Sequence, residues 1–117
     1  MQICLKRAYD DPDENDGLRI LVDRVWPRGR TKEEMRLDAW LKEIAPSTEL
    51  RNWFGHDPKK WDEFKRRYFK ELENLQQTVA DLLERGRGQR LTLVFAARDE
   101  EHNNAVALRE YLQARRK

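Results

Sequence analysis

Arg90-Leu91-Thr92-Leu93-Val94-Phe95-Ala96-Ala97 is the most uniformly apolar run of the chain, and its reading decides the fold. A short run of this kind, rich in aliphatic and aromatic side chains, is a strand buried on both faces. Strands of that type sit at the centre of parallel sheets covered by helices. After it, Asp99 is expected to cap a final helix whose inward side chains are Ala105, Leu108, Tyr111 and Leu112. Before it, Trp61, Phe64, Tyr68, Leu72, Leu75, Val79, Leu82 and Leu83 step by three or four and form one apolar stripe. Asp57-Pro58 opens that helix and Gly86 and Gly88 end it. At 1.5 Å per residue, 58–85 spans roughly 40 Å. A domain of this size is only about 35 Å across. The helix is therefore expected either to bend or to overhang the core.

Further out, Ser47 or Thr48 caps a short helix through Leu50, Trp53 and Phe54 that Gly55 closes. Leu37, Trp40, Leu41 and Ile44 have helical spacing, ended by Pro46. Residues 18–26 contain the consecutive Ile20-Leu21-Val22 and read as a second buried strand, stopped by Pro27-Arg28-Gly29. Residues 2–8 read as a first strand, separated from it by the acidic loop Asp10–Gly17. Strand, helices, strand, helix is an α/β order with a right-handed crossover. The expectation is a single domain over 1–117 with a small, mostly parallel sheet of three or four strands. About four helices flank it, one of them long. The short first connection leaves the direction of the first strand open.

Composition excludes several classes. The 117 residues are 38% hydrophobic and 39% charged, with no run near the ~18–20 apolar residues of a membrane span. No secretory h-region follows Met1, and the expected location is the cytoplasm. The single Cys4 closes no internal disulfide and reads as a buried structural thiol. Twenty-four basic against 22 acidic residues give +2, too little to mark a nucleic-acid binder without a clustered face. Arginine outnumbers lysine 16 to 8, and its rigid fork suits carboxylates and phosphates. No P-loop, GxGxxG or nucleophile elbow is present, so P-loop phosphoryl transfer and dinucleotide binding are not expected.

In open α/β sheets, ligands sit beyond the carboxyl ends of the strands. The second strand runs out into Asp23-Arg24-Val25-Trp26-Pro27-Arg28, and the last into Arg98-Asp99-Glu100-Glu101-His102-Asn103. Arg24, Arg28 and Arg98, with the N-terminus of the last helix, suit an anion. Asp23 or Asp99 with His102 would supply acid–base chemistry if a reaction occurs. Trp26 can stack on a ring; His56 either crosses to the site or caps the long helix. The structural alternative uses the same residues: Asp99 as a cap, and Asp23–Arg98 or Arg24–Asp99 as ion pairs at the sheet edge. The sequence names no metal site and no cofactor.

Several motifs in order resemble a known family. They are Leu21-Val22-Asp23-Arg24-Val25-Trp26-Pro27-Arg28-Gly29, then Trp40 with Ala45-Pro46-Ser47, then Leu50-Arg51 with Trp53-Phe54-Gly55-His56-Asp57, and Ala96-Ala97-Arg98-Asp99-Glu100-Glu101-His102-Asn103. Together they resemble the YeaO-like family of uncharacterised prokaryotic proteins (domain of unknown function 488), over nearly the whole chain. The resemblance implies a small cytosolic α/β domain and no established activity, substrate or cofactor. It implies recurring positions at Asp23, Arg24, Trp26, Pro27, Arg28, Gly29, His56, Arg98, Asp99, His102 and Asn103. Its wider superfamily often carries a Cys-His pair in the last motif. Here Glu101 precedes His102, so thiol chemistry is not carried over.

Three functions follow, in this order. The first is binding of a small anionic ligand, a nucleotide or phosphorylated metabolite, at the strand ends. The second is a nucleic-acid-binding module built on Arg28, Arg30, Lys32, Arg66, Arg67, Arg85, Arg87, Arg90, Arg115 and Arg116. The third is an interaction module whose overhanging long helix docks a partner or a second copy, making the protein a monomer or a homodimer. No membrane partner is expected.

Overall fold

The computed structural model of the protein describes residues 1–115. Four strands form one sheet: β1 (Gln2–Arg7), β2 (Leu18–Leu21), β3 (Ala39–Trp40) and β4 (Arg90–Phe95). Their order is β1-β4-β2-β3, and every neighbouring pair is parallel. The apolar run 90–95 is the central strand, with Leu91, Leu93, Val94 and Phe95 at or below 2% exposure. The helices are α1 (Lys32–Met35), α2 (Thr48–Phe54), α3 (Trp61–Glu73), α4 (Gln76–Arg85) and α5 (Asn104–Arg115). No helix among the described residues is long and apolar enough to cross a membrane.

Strand alternation divides the core in two. Ile3, Ile20, Val22, Leu91, Leu93 and Phe95 face the main cluster, with Phe54, Phe64, Tyr68, Leu72, Leu82 and Leu108 from the helices. Leu21, Val94 and Ala8 face the other way, where Met35 covers them with Trp26, Leu37 and Trp40 packed alongside. The direction of β1, open from sequence, is parallel to β4. The link from β1 to β2 manages this crossing with a single 3-10 turn, Glu14–Asp16, between them. Thr92 on β4 donates its hydroxyl to the Asp16 carbonyl (2.6 Å), so the link lies against the central strand. Gly17 at its end has φ 68°, and a Cβ there would meet the Arg90 carbonyl oxygen at 2.2 Å. Only glycine fits that approach.

Two expectations need correction, and a third is resolved between its alternatives. The helix expected from Leu37, Trp40, Leu41 and Ile44 is instead strand β3 followed by a 3-10 turn, Lys42–Ile44. Asp38 accepts from the Arg19 N–H and Leu41 donates to the Leu21 carbonyl, so β2 draws this segment into the sheet. The stretch 58–85 is helical but not continuous. A 3-10 turn (Pro58–Lys60) leads into α3, and α3 breaks from α4 at Asn74-Leu75. The molecule measures 36 × 35 × 20 Å, too small for a straight helix of that length, and of the two outcomes expected it takes the bend. The amide of Gln76 donates to the Leu72 carbonyl and that of Asn74 to the Lys70 carbonyl, satisfying groups at the break. The apolar stripe stays on the core, so the overhang on which a docking helix depends is absent. Asp99 does not cap α5. The cap is Asn103, 2% exposed, whose side-chain oxygen accepts from Val106 N–H.

Candidate functional site

Because all four strands are parallel, their carboxyl ends share one edge, and a cleft of about 690 Å³ opens there. Asp23, Arg24, Trp26, Arg28, His56, Arg98, Asp99 and Asn103 all line it. His102 does not. Its ring packs edge-on against Trp61 at 5.4 Å between centroids. Arg51 and Asn104 line the cleft although neither was singled out as a site residue, and Ala45, Pro46, Phe54, Phe64, Ala96 and Ala97 form its apolar walls. Arg51 lies on α2, one helical turn before the Gly55 cap whose N–H donates to the Arg51 carbonyl.

The walls are fixed by backbone hydrogen bonds. Arg24 donates from Nε to the Pro46 carbonyl (3.0 Å) and from Nη2 to the Ala45 carbonyl (3.1 Å). It is a clamp between the β2 loop and the 45–47 segment, with Nη1 left uncommitted. Tyr68, buried in α3, donates to the Ile44 carbonyl (2.6 Å), and Glu71 accepts from both Ser47 N–H and Ser47 Oγ. On the other side, the Tyr9 hydroxyl donates to the Arg28 carbonyl (2.9 Å) and Arg30 Nε to the Ala8 carbonyl (2.9 Å). Trp26 donates its indole N–H to Arg30 (2.7 Å) and meets Trp40 edge-on at 5.1 Å. Its ring thus holds the loop that presents Arg28. Gly55 (φ 54°) and His56 (φ 58°) are both left-handed, which turns the chain sharply at the end of α2 and puts His56 on the cleft.

The polar groups differ in how far they are committed. Asp23 Oδ2 accepts from Ala96 N–H (2.9 Å) and Oδ1 from Asn104 Nδ2 (3.1 Å). Burial pushes its carboxyl above the usual carboxylate range. The Ala96 N–H, the Asn104 amide and the charges of Arg51 and His56 pull the other way. Neither ion pair expected at the sheet edge forms, since Asp23 and Arg24 take these neutral partners. Asp99 is the opposite case. The backbone N–H of Glu101, then the His102 ring at 3.0 Å, hold its carboxyl below the usual range. It caps the turn 99–102 rather than α5. The guanidinium groups of Arg28 and Arg98 are exposed and bond no protein group. Arg51 acts on Asp23 only through its field.

Half of the basic set considered for a nucleic-acid surface is paired within the molecule. Arg30 meets Glu34, Arg66 and Arg67 share Glu63, Arg87 meets Glu84, and Arg115 lies over Tyr111. Arg116 lies outside the described residues.

The fold and the strand-end cleft define a small parallel α/β domain with a preformed pocket at the carboxyl edge of its sheet. The chain belongs to the family described as the inactive DUF488-N3 subclade, whose sequence model matches residues 2–117. It is 41% identical over 114 residues to the uncharacterized protein YeaO of Escherichia coli K12, covering 97% of this chain and 99% of that protein. It is 39% identical over 114 residues to the uncharacterized protein Rv3073c of Mycobacterium tuberculosis H37Rv, covering 97% and 96%. No solved structure matches the chain.

Proposed function

We propose that this protein binds a small phosphorylated molecule, a nucleotide or a phosphorylated metabolite, in the cleft at the carboxyl edge of its sheet. One observation carries the reading: Arg28 and Arg98, two exposed guanidinium groups without protein partners, line one preformed cleft with Arg51 beside them. Arginine forks that bond nothing in the protein are free to pair bidentately with phosphate oxygens. Apolar walls from Pro27, Pro46, Phe54 and Phe64 give the rest of such a ligand a dry surface. A cytoplasmic location goes with this reading.

Binding without turnover is the favoured form. The family is described as inactive. His102 stands off the cleft lining, and Asp99 is occupied by the turn it caps. A basic surface for nucleic acid has less support, because Arg30, Arg66, Arg67 and Arg87 already face carboxylates.

The test is a thermal-shift series with inorganic phosphate, nucleoside monophosphates and sugar phosphates, on the natural protein and on Arg98→Ala. A ligand at 100 times its Kd should add about 2.7 kcal/mol of stability. The reading expects one class to stabilise the natural protein and to lose most of that effect in Arg98→Ala. Absence of a shift from every phosphorylated compound overturns it.

A further inference from the structure

We infer that the ligand of this cleft is a guanine nucleotide, with its base edge read by Asp23 and Asn104 and its phosphate held by Arg28 and Arg98. The inference rests on the binding reading above and sharpens it. The polar groups of the cleft are sorted by type. Arginine side chains can only donate, and Arg28 and Arg98 have every donor free. Asp23 and Asn104 offer the reverse. An ionised carboxylate accepts about four hydrogen bonds, and protein groups supply two, from Ala96 N–H and Asn104 Nδ2. The Asn104 amide nitrogen is committed to Val22 and Asp23, so its open atom is the oxygen, another acceptor. Both residues line the cleft.

A ligand that satisfies both sets carries adjacent N–H donors on one part and an anion on another. Among nucleobases, guanine has this pattern, with N1–H beside the 2-amino group. Adenine places the bare N1 acceptor against the carboxylate. Uracil and thymine offer one N–H between two carbonyls. An acceptor set against the Asp23 carboxylate leaves its remaining lone pairs without a donor and places two acceptors face to face, and a polar mismatch of that kind discriminates more strongly than the loss of an apolar contact. Phe54 and Pro46 line the cleft and give the base an apolar wall to lie against.

The experiment is calorimetric titration of the natural protein with GMP, IMP, AMP and inorganic phosphate, repeated with GMP and AMP on Asp23→Asn. One charge-assisted hydrogen bond is worth about tenfold or more in affinity. The expected order is GMP, then IMP, which lacks the 2-amino group, then AMP, with GMP at least about tenfold tighter than AMP. In Asp23→Asn the ratio of GMP to AMP affinity should collapse toward one. The substituted side chain keeps one oxygen for Ala96 N–H, and circular dichroism reports whether it folds. If it does not, the three-purine series on the natural protein decides alone. AMP binding as tightly as GMP, or a ratio unchanged in a folded Asp23→Asn, overturns the guanine assignment and leaves phosphate binding standing. Failure of all four compounds to bind overturns both.

Discussion

Two aspartates at opposite ends of β2, Asp16 and Asp23, are both drawn into the protein, and they are treated in opposite ways. Asp16, 7% exposed, takes Lys6 Nζ at 3.2 Å on each oxygen and Arg19 Nη1 at 2.6 Å. Burial pushes its carboxyl up, but the Asp13 N–H and these two cations outweigh that and hold it below the usual range. Asp23 has only neutral donors, and burial wins. At the amino edge, opposite charges are brought together to fix the link from β1 to β2. At the carboxyl edge, an acid and several arginines line one space without bonding each other. Charge kept apart at a cost in desolvation is charge held for something else.

The comparison breaks most directly at Arg19. Its Nε donates to the Met35 carbonyl at 2.8 Å, its side chain is 4% exposed, and it anchors α1 as well as Asp16. Arg19→Ala strips a buried carboxylate of its closest cation and orphans a carbonyl. The expected loss is about 3–5 kcal/mol by urea denaturation. One offset exists, since Arg19 Nη2 is itself buried without a partner. A loss under about 1 kcal/mol would show that the amino-edge cluster is not structural.

Arg24→Ala should be the next largest, and it separates a clamp from a ligand contact. It deprives the Ala45 and Pro46 carbonyls of their donors, at a cost of about 1–3 kcal/mol in thermal or chemical unfolding. Arg98→Ala removes no protein hydrogen bond, so its stability should stay within about 0.5 kcal/mol of the natural protein. Equal stability losses in the two variants would put Arg24 and Arg98 in one class and erase the distinction between wall and mouth.

Much of this was legible in the sequence, for reasons that also explain what was not. The run 90–95 announces itself because a strand covered on both faces needs apolar side chains at every position. The strand-end rule then places 23–28 and 98–99 together, as the cleft does. Strand β3 is hidden because two residues carry no period. The side chains Leu37, Trp40, Leu41 and Ile44 meet a helical spacing by chance, through a short strand and a 3-10 turn. The break at Asn74-Leu75 has no glycine or proline to mark it. The two backbone carbonyls that Arg24 holds are invisible in the sequence, which shows charged partners and not backbone ones. Asn104 escaped because its role depends on where α5 starts, one residue after its cap.

The smallest effect is a difference in sign. Asp16 titrates lower in the folded chain than unfolded, so its contribution is present above its ordinary pKa of 3.8 and is lost as pH falls through the folded value. Asp23 titrates higher when folded. The native state then holds a proton that the unfolded chain has released, and stability falls as pH rises from 3.8 through the raised value. The same substitution should therefore give opposite slopes. The deficit of Asp16→Asn relative to the natural protein should shrink on acidification below 3.8. Asp23→Asn should gain on the natural protein as pH rises through the window above 3.8, because the ionised acid carries a burial cost that the amide does not. Urea midpoints for the three proteins across that range read both slopes. Parallel curves for the two variants would mean that the two acids share one environment, and the division between a structural edge and an open one would fall.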